Sequence, residues 1–312
     1  MPYGNHDIAF TLGRTQPPHQ AHFNMLISAL ISLKEHGKLI QFIGSSNIPL
    51  KFAKHEKNIL SFEERENMIT NGLIAELHER YEQDPMSIPP KFSARIQQGM
   101  PVLEPEEFVC IPLPDFSDPH RRLSEKEEKI REDAIAQVSQ AGIPQHERFS
   151  KIMHQMMNQN PFMKHITIPP YSPSYLGWAI NLRNVLDDIV EKYRNEFHVA
   201  RPSVTYHCCG KDMGTLQYIL LIATVIEFFE HQYDFKIAPM PTEMLNANIS
   251  VNATDIRDAY VDVLSEYTTE KIQHFIEHPD ALAQKYPVLG HMRPQARVAM
   301  LKAMVRLKDK KS

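Results

Sequence analysis

Apolar residues gather in five short runs, at 8–12, 39–43, 166–168, 204–209 and 235–238. Between them lie stretches whose apolar positions recur with helical spacing, at 20–34, 62–80, 175–197 and 213–231. Short continuous runs alternating with amphipathic helices predict βα units on a parallel sheet whose strands are covered on both faces. The helix over 175–197 is the clearest, with Leu182, Val185, Leu186, Ile189, Val190, Tyr193 and Phe197 on one side. From Thr254 onward the pattern is again helical, with Lys and Arg gathered toward the end, as the helix dipole favours. The expected fold is α/β, a doubly wound Rossmann-like parallel sheet with a mid-chain insertion and a helical C-terminal part. Residues 1–78 form its first half, 79–165 the insertion, 166–250 the second half and 251–312 the C-terminal helices. The insertion is proline-rich over 83–119 and charged and helical over 123–140. It suits a helical cap over a site or an oligomer contact.

The first strand-to-helix junction carries the most chemistry: Gly13-Arg14-Thr15-Gln16-Pro17-Pro18-His19-Gln20-Ala21-His22. A helix N-terminus presents unpaired N–H groups and partial positive charge. Gly13 permits close backbone approach, and His19 and His22 share one side of the first turn. Phe23, Leu26, Ile27, Leu30 and Leu33 then continue at helical period. The pattern is that of an anion site; ordinary surface histidines are the alternative.

This segment resembles the Gly-Arg-Phe-Gln-Pro-x-His-x-Gly-His signature of the His-x-Gly-His nucleotidyltransferases, most closely the nicotinamide-nucleotide adenylyltransferases. Two more blocks match in order. Gly44-Ser45-Ser46-Asn47 with the segment 60–69, Leu-Ser-Phe-Glu-Glu-Arg-Glu-Asn-Met-Ile, resembles the family's Gly-Ser-Ser and Phe-Ser-Phe-x-Glu-Arg elements. Val251-Asn252-Ala253-Thr254-Asp255-Ile256-Arg257 resembles Ile-Ser-Ala-Thr-x-Ile-Arg. The matches cover roughly 6–78 and 166–262. Thr15 stands where the family has Phe, Ala21 where it has Gly, and Asn252 where it has Ser.

The resemblance implies adenylyl transfer from ATP to nicotinamide mononucleotide, giving NAD and pyrophosphate. His19, His22 and Arg257 would carry the chemistry on the ATP phosphates. Gly13, Arg14 and Thr254 would bind phosphate, with Gly210, Lys211 and Asp212 at the end of the fourth run contacting phosphate and ribose; Asp212 reads equally as a helix cap. Lys51, beside Lys54 and Lys57, and Ser45 would reach the pyridine nucleotide, or Lys51 belongs to a solvated basic loop. Trp178, the single tryptophan, would stack on the nicotinamide or sit in the core. Arg65 either contacts substrate or pairs with a carboxylate on its own helix. Magnesium would arrive on the triphosphate, without a dedicated protein metal site. The alternatives are a related nucleotidyltransferase with another phosphate acceptor, or a catalytically weakened nucleotide sensor, suggested by Ala21 and Asn252.

Composition adds limits. The 312 residues, 42% hydrophobic and 23% charged with a formal net charge of -4, describe a globular chain with no reason to expect nucleic acid or anionic membrane as partner. The most apolar stretch, 218–229, is too short for a bilayer and contains Glu227. No signal-peptide pattern opens the chain, and Cys110, Cys208 and Cys209 lack a Cys-x-x-Cys spacing. A cytoplasmic location and a homo-oligomer are the expectations. The segment His274-Phe275-Ile276-Glu277-His278 matches a zinc-peptidase pattern, but Pro279 follows and marks a helix end.

Overall fold

The computed structural model describes residues 4–13, 15, 17–44, 60–114, 116, 123–143, 145–168, 171–209, 213–240 and 253–309. Five strands, β1 (His6–Gly13), β2 (Leu33–Gly44), β3 (Phe108–Leu113), β4 (Ser203–Cys208) and β5 (Asp234–Pro239), form one parallel sheet in the order β3-β2-β1-β4-β5. The chain steps outward from β1 to β3 and then returns to lay β4 beside β1, so the order reverses between those two strands. Open α/β sheets bind ligands at the carboxyl ends of the strands flanking such a point. This is a Rossmann-like α/β fold with a helical C-terminal part.

Alternate residues of β1 explain why it reads as a continuous apolar run. Ile8 and Phe10 pack into one cluster, with residues of α4 (Glu125–Gln140), α5 (Glu147–Gln159), α6 (Pro173–Phe197) and α7 (Met213–Phe228). Ala9 packs into the other, with α1 (Gln20–Ile31), α2 (Phe62–Gln83) and α3 (Pro90–Gln97). Both faces of the strand are dry, so no polar alternation survives. Helices α4 and α5 reach this core through Ala134, Val138, Phe149 and Met153, packing on α6 and α7. The remaining helices, α8 (Ala253–Glu266), α9 (Thr269–Glu277), α10 (Pro279–Lys285) and α11 (Pro294–Asp309), enclose a third cluster that includes Leu60.

Two expectations are corrected. The run 166–168 is not a strand; the third strand is β3, inside the stretch read as an insertion. β3 is an edge strand with Val109 exposed, and Pro112 is tolerated because an edge position leaves some N–H groups outside the ladder. The first helix stops at Ile31 rather than 34, since β2 begins at Leu33.

Opposite the carboxyl edge, Asp7 closes the sheet. Its buried carboxylate accepts from Lys34 Nζ at 2.8 Å, from the Ser203 N–H and hydroxyl at 2.9 Å each, and from the Tyr193 hydroxyl at 3.3 Å. Burial alone would raise its pKa; the bonds from Lys34 and Ser203 outweigh that and hold it below the ordinary value. At the α1–α2 crossing, a Cβ on Gly72 would lie 2.3 Å from Phe23 Cζ. Gly72→Ala is therefore expected to destabilise the fold by about 1–3 kcal/mol despite alanine's better helix propensity. Urea unfolding measures this; a stabilised variant would contradict the close approach.

Candidate functional site

The carboxyl end of β1 delivers the chain to the tip of α1. His19 is the N-cap residue, in extended conformation (φ -141°, ψ 174°), and its carbonyl accepts from the His22 N–H at 2.9 Å. In return His22 Nδ1 accepts from the His19 backbone N–H at 3.2 Å. An imidazole thus plays the part that Glu or Gln takes in a capping box. This bond assigns the tautomer: in the neutral ring the proton sits on Nε2. The two ring centroids lie 4.1 Å apart, so the expected sharing of one side of the turn is met.

Gly13, the last residue of β1, faces the same ring. A Cβ built there would stand 4.0 Å from His22 Cδ2 and 3.6 Å from Thr15 Cγ2, an ordinary contact distance. The neighbours of Gly13 therefore do not force a glycine; its effect is to leave the flank of the His22 ring clear.

Thr15 is the residue that sequence reasoning missed, noticing it only as a departure from the family's Phe. Its φ is 45°, a region costly for a β-branched side chain. It is 2% exposed, and its hydroxyl finds no hydrogen-bond partner among the described residues. Strained backbone within the loop feeding α1 marks a position held by its surroundings rather than by its own preference.

The block at 60–69 turns out to be a cap and a clamp. Ser61 Oγ accepts from the Glu64 N–H at 3.1 Å while the Glu64 carboxylate accepts from the Ser61 N–H at 2.9 Å, starting α2. Arg65, fully buried, donates from Nη1 to the Gly44 carbonyl at 2.9 Å and from Nε to the Ser61 carbonyl at 3.2 Å. It thus ties the carbonyl at the end of β2 to the one at the start of α2, with the charge of Glu63 nearby. Burial pulls its pKa down to about 10, so the guanidinium stays charged at neutral pH beside the carboxyl edge.

Arg257 lies half-buried on the second turn of α8. One turn further, the buried Tyr260 hydroxyl donates to the Arg297 carbonyl at 3.3 Å and approaches Met292 Sδ at 3.6 Å. Trp178 is 9% exposed and meets the Tyr218 ring edge-on at 5.7 Å. It packs in the cluster of the α6 and α7 face, across the sheet from the cluster that contains Phe23 of α1. The Tyr175 and Tyr218 hydroxyls share a hydrogen bond of 2.8 Å beside it. At the end of β4, burial pushes the Cys208 thiol up to about 12.

Arg14, Ser45, Lys51, Gly210, Lys211 and Asp212 lie outside the described residues, as does the side chain of Thr254. In the segment 274–278, α9 ends at Glu277 before Pro279 opens α10, with the His274 and His278 rings 4.7 Å apart. No third His, Cys, Asp or Glu is grouped with them among the described residues. No helix among the described residues is long and apolar enough to cross a membrane.

The class these observations define is a Rossmann-like α/β protein with paired imidazoles on a helix tip beside the reversal of strand order. Set against family models, curated proteins and solved structures, the chain matches none of them.

Proposed function

We propose that the chain is an adenylyltransferase that joins nicotinamide mononucleotide to the AMP moiety of ATP. The observation carrying this reading is the His19–His22 pair at the α1 tip, with His22 Nδ1 accepting from the N-cap amide and Nε2 carrying the proton in the neutral ring. The order of the three sequence blocks supports it. A 5′-phosphate oxygen of the mononucleotide attacks the α-phosphorus of ATP, the bond from that phosphorus to the bridging oxygen breaks, and pyrophosphate leaves. Charge develops on phosphoryl oxygens, so the protein's task is to supply fixed donors and cations. The imidazoles and the amides of the α1 tip serve the triphosphate, and Arg257 grips the departing phosphates with a forked guanidinium. The first turn of α1 holds no carboxylate. A magnesium ion fits this donor set as a companion of the triphosphate, where it would neutralise phosphate charge.

Incubation with ATP, magnesium and a panel of phosphate acceptors tests the assignment. Pyrophosphate release that depends on a pyridine mononucleotide is the expected result. Release with only another acceptor, such as phosphopantetheine, would transfer the reading to a different nucleotidyltransferase, and tight ATP binding without product would make the chain a sensor.

A further inference from the structure

A buried ionic group joins the C-terminal helices to the tip of α1. Glu76, on α2 and 5% exposed, accepts through Oε2 from Gln20 Nε2 at 3.0 Å and from Arg293 Nη2 at 2.9 Å. Its Oε1 accepts from Arg80 Nε at 2.8 Å. Gln20 directly follows His19, and the Arg293 guanidinium also stands 5.7 Å over the ring of Phe23, which directly follows His22. On the other side, Arg293 directly follows Met292 and its carbonyl accepts from the Arg297 N–H at 3.0 Å; Met292 and Arg297 hold the Tyr260 hydroxyl one turn beyond Arg257. Arg293 also grips Glu79 with its fork, Nη1 to Oε1 at 2.6 Å and Nη2 to Oε2 at 3.2 Å.

We propose that Glu76 and Arg293 are positioning residues, a strut that fixes the tip of α1 with His19 and His22 relative to the helix carrying Arg257. A buried charged set loses solvation that well-packed apolar residues would not, so cohesion alone is a weak reason for it. What the Arg293 fork on Glu79, with Glu76 held by the same Nη2, adds is direction and distance. Burial would raise the Glu76 pKa, yet the bonds from Gln20 and Arg80 and the charge of Arg293 hold it low, so the carboxylate is ionised while it performs this task. The catalytic consequence rests on the adenylyl-transfer reading; the mechanical one rests on the contacts alone.

The test uses the full chain as Glu76→Gln and Arg293→Lys, with Asp7→Asn as a control that breaks an equally buried carboxylate group at the opposite edge of the sheet. Hydrogen exchange is read at the His22 and Phe23 amides and over the first two turns of α8. Both tips are expected to exchange about tenfold faster in Glu76→Gln, with an intermediate effect in Arg293→Lys, which keeps the charge but loses the fork. In Asp7→Asn both should stay as they are. The kcat for pyrophosphate release should fall about tenfold in Glu76→Gln, more than the KM for ATP changes, because misplacing a phosphate donor by a fraction of an ångström is paid mainly in the transition state. Unchanged exchange at either tip, or the same change in Asp7→Asn, overturns the strut. A wild-type chain that releases no pyrophosphate overturns the adenylyl-transfer reading and leaves the exchange result to decide the strut by itself.

Discussion

Replacing His22 by alanine is expected to lower turnover by about a hundredfold, the usual cost of deleting one preorganised donor to developing charge. The expectation follows from the bond at Nδ1. With that nitrogen accepting from the His19 N–H, the ring cannot swing away from the helix tip, and Nε2 is the nitrogen that carries the proton. The same bond warns that alanine also removes the N3 half of a capping box, worth about 0.5–1.5 kcal/mol of helix stability. His22→Gln separates the two roles, since a glutamine oxygen at this position can accept from the N-cap amide as in an ordinary capping box. The glutamine variant should recover stability in urea unfolding while turnover stays low. A loss below about tenfold in the alanine variant removes His22 from the phosphate chemistry, and full recovery of turnover in the glutamine variant reduces its role to capping.

The sheet was largely legible because strands dry on both faces leave unbroken apolar runs, as Ile8, Ala9 and Phe10 do by entering different clusters. β3 was hidden by its place at the edge, where exposed Val109 and the tolerated Pro112 break the pattern that marks central strands. The histidine pair was legible from its spacing on a helix tip. Thr15 was not, since a left-handed threonine has no local sequence signal and is imposed by the surrounding chain. Arg65 sits between Glu64 and Glu66 and invited an ion pair on its own helix. The charge of Glu63 on that helix does favour the guanidinium, while Arg65 also turns inward to the carbonyls of Ser61 and Gly44. Nothing in the chain near Glu76 announces Arg293, 217 positions away; such a bond exists only once the C-terminal helices have docked.

Between pH 6.5 and about 4 the fold is expected to lose on the order of 3 kcal/mol of stability through His207. The ring is 6% exposed on β4, with Nε2 3.0 Å from Ser32 Oγ. That hydroxyl already donates to the Ala29 carbonyl at 2.7 Å, so Nε2 carries the proton and donates to it. A second proton would charge a buried ring; burial first, and the neighbouring His6 next, bring its pKa down from 6.5 to about 4. Below 6.5 the unfolded chain therefore binds a proton that the native state refuses, and stability falls with pH until the native ring is also protonated. His6, lowered by its own burial and by Lys236, adds a slope of the same sign. Among the carboxylates held low in the fold, the buried or half-buried Asp7, Glu76 and Glu107 start from ordinary values of 3.8, 4.5 and 4.5. Their contributions are lost below those values, which leaves most of the interval to the histidines. Urea unfolding at steps from pH 7 to 4.5 reads the slope. His207→Gln, whose amide can still donate to Ser32, should flatten most of it; an unaltered slope in that variant would place the acid sensitivity elsewhere in the molecule.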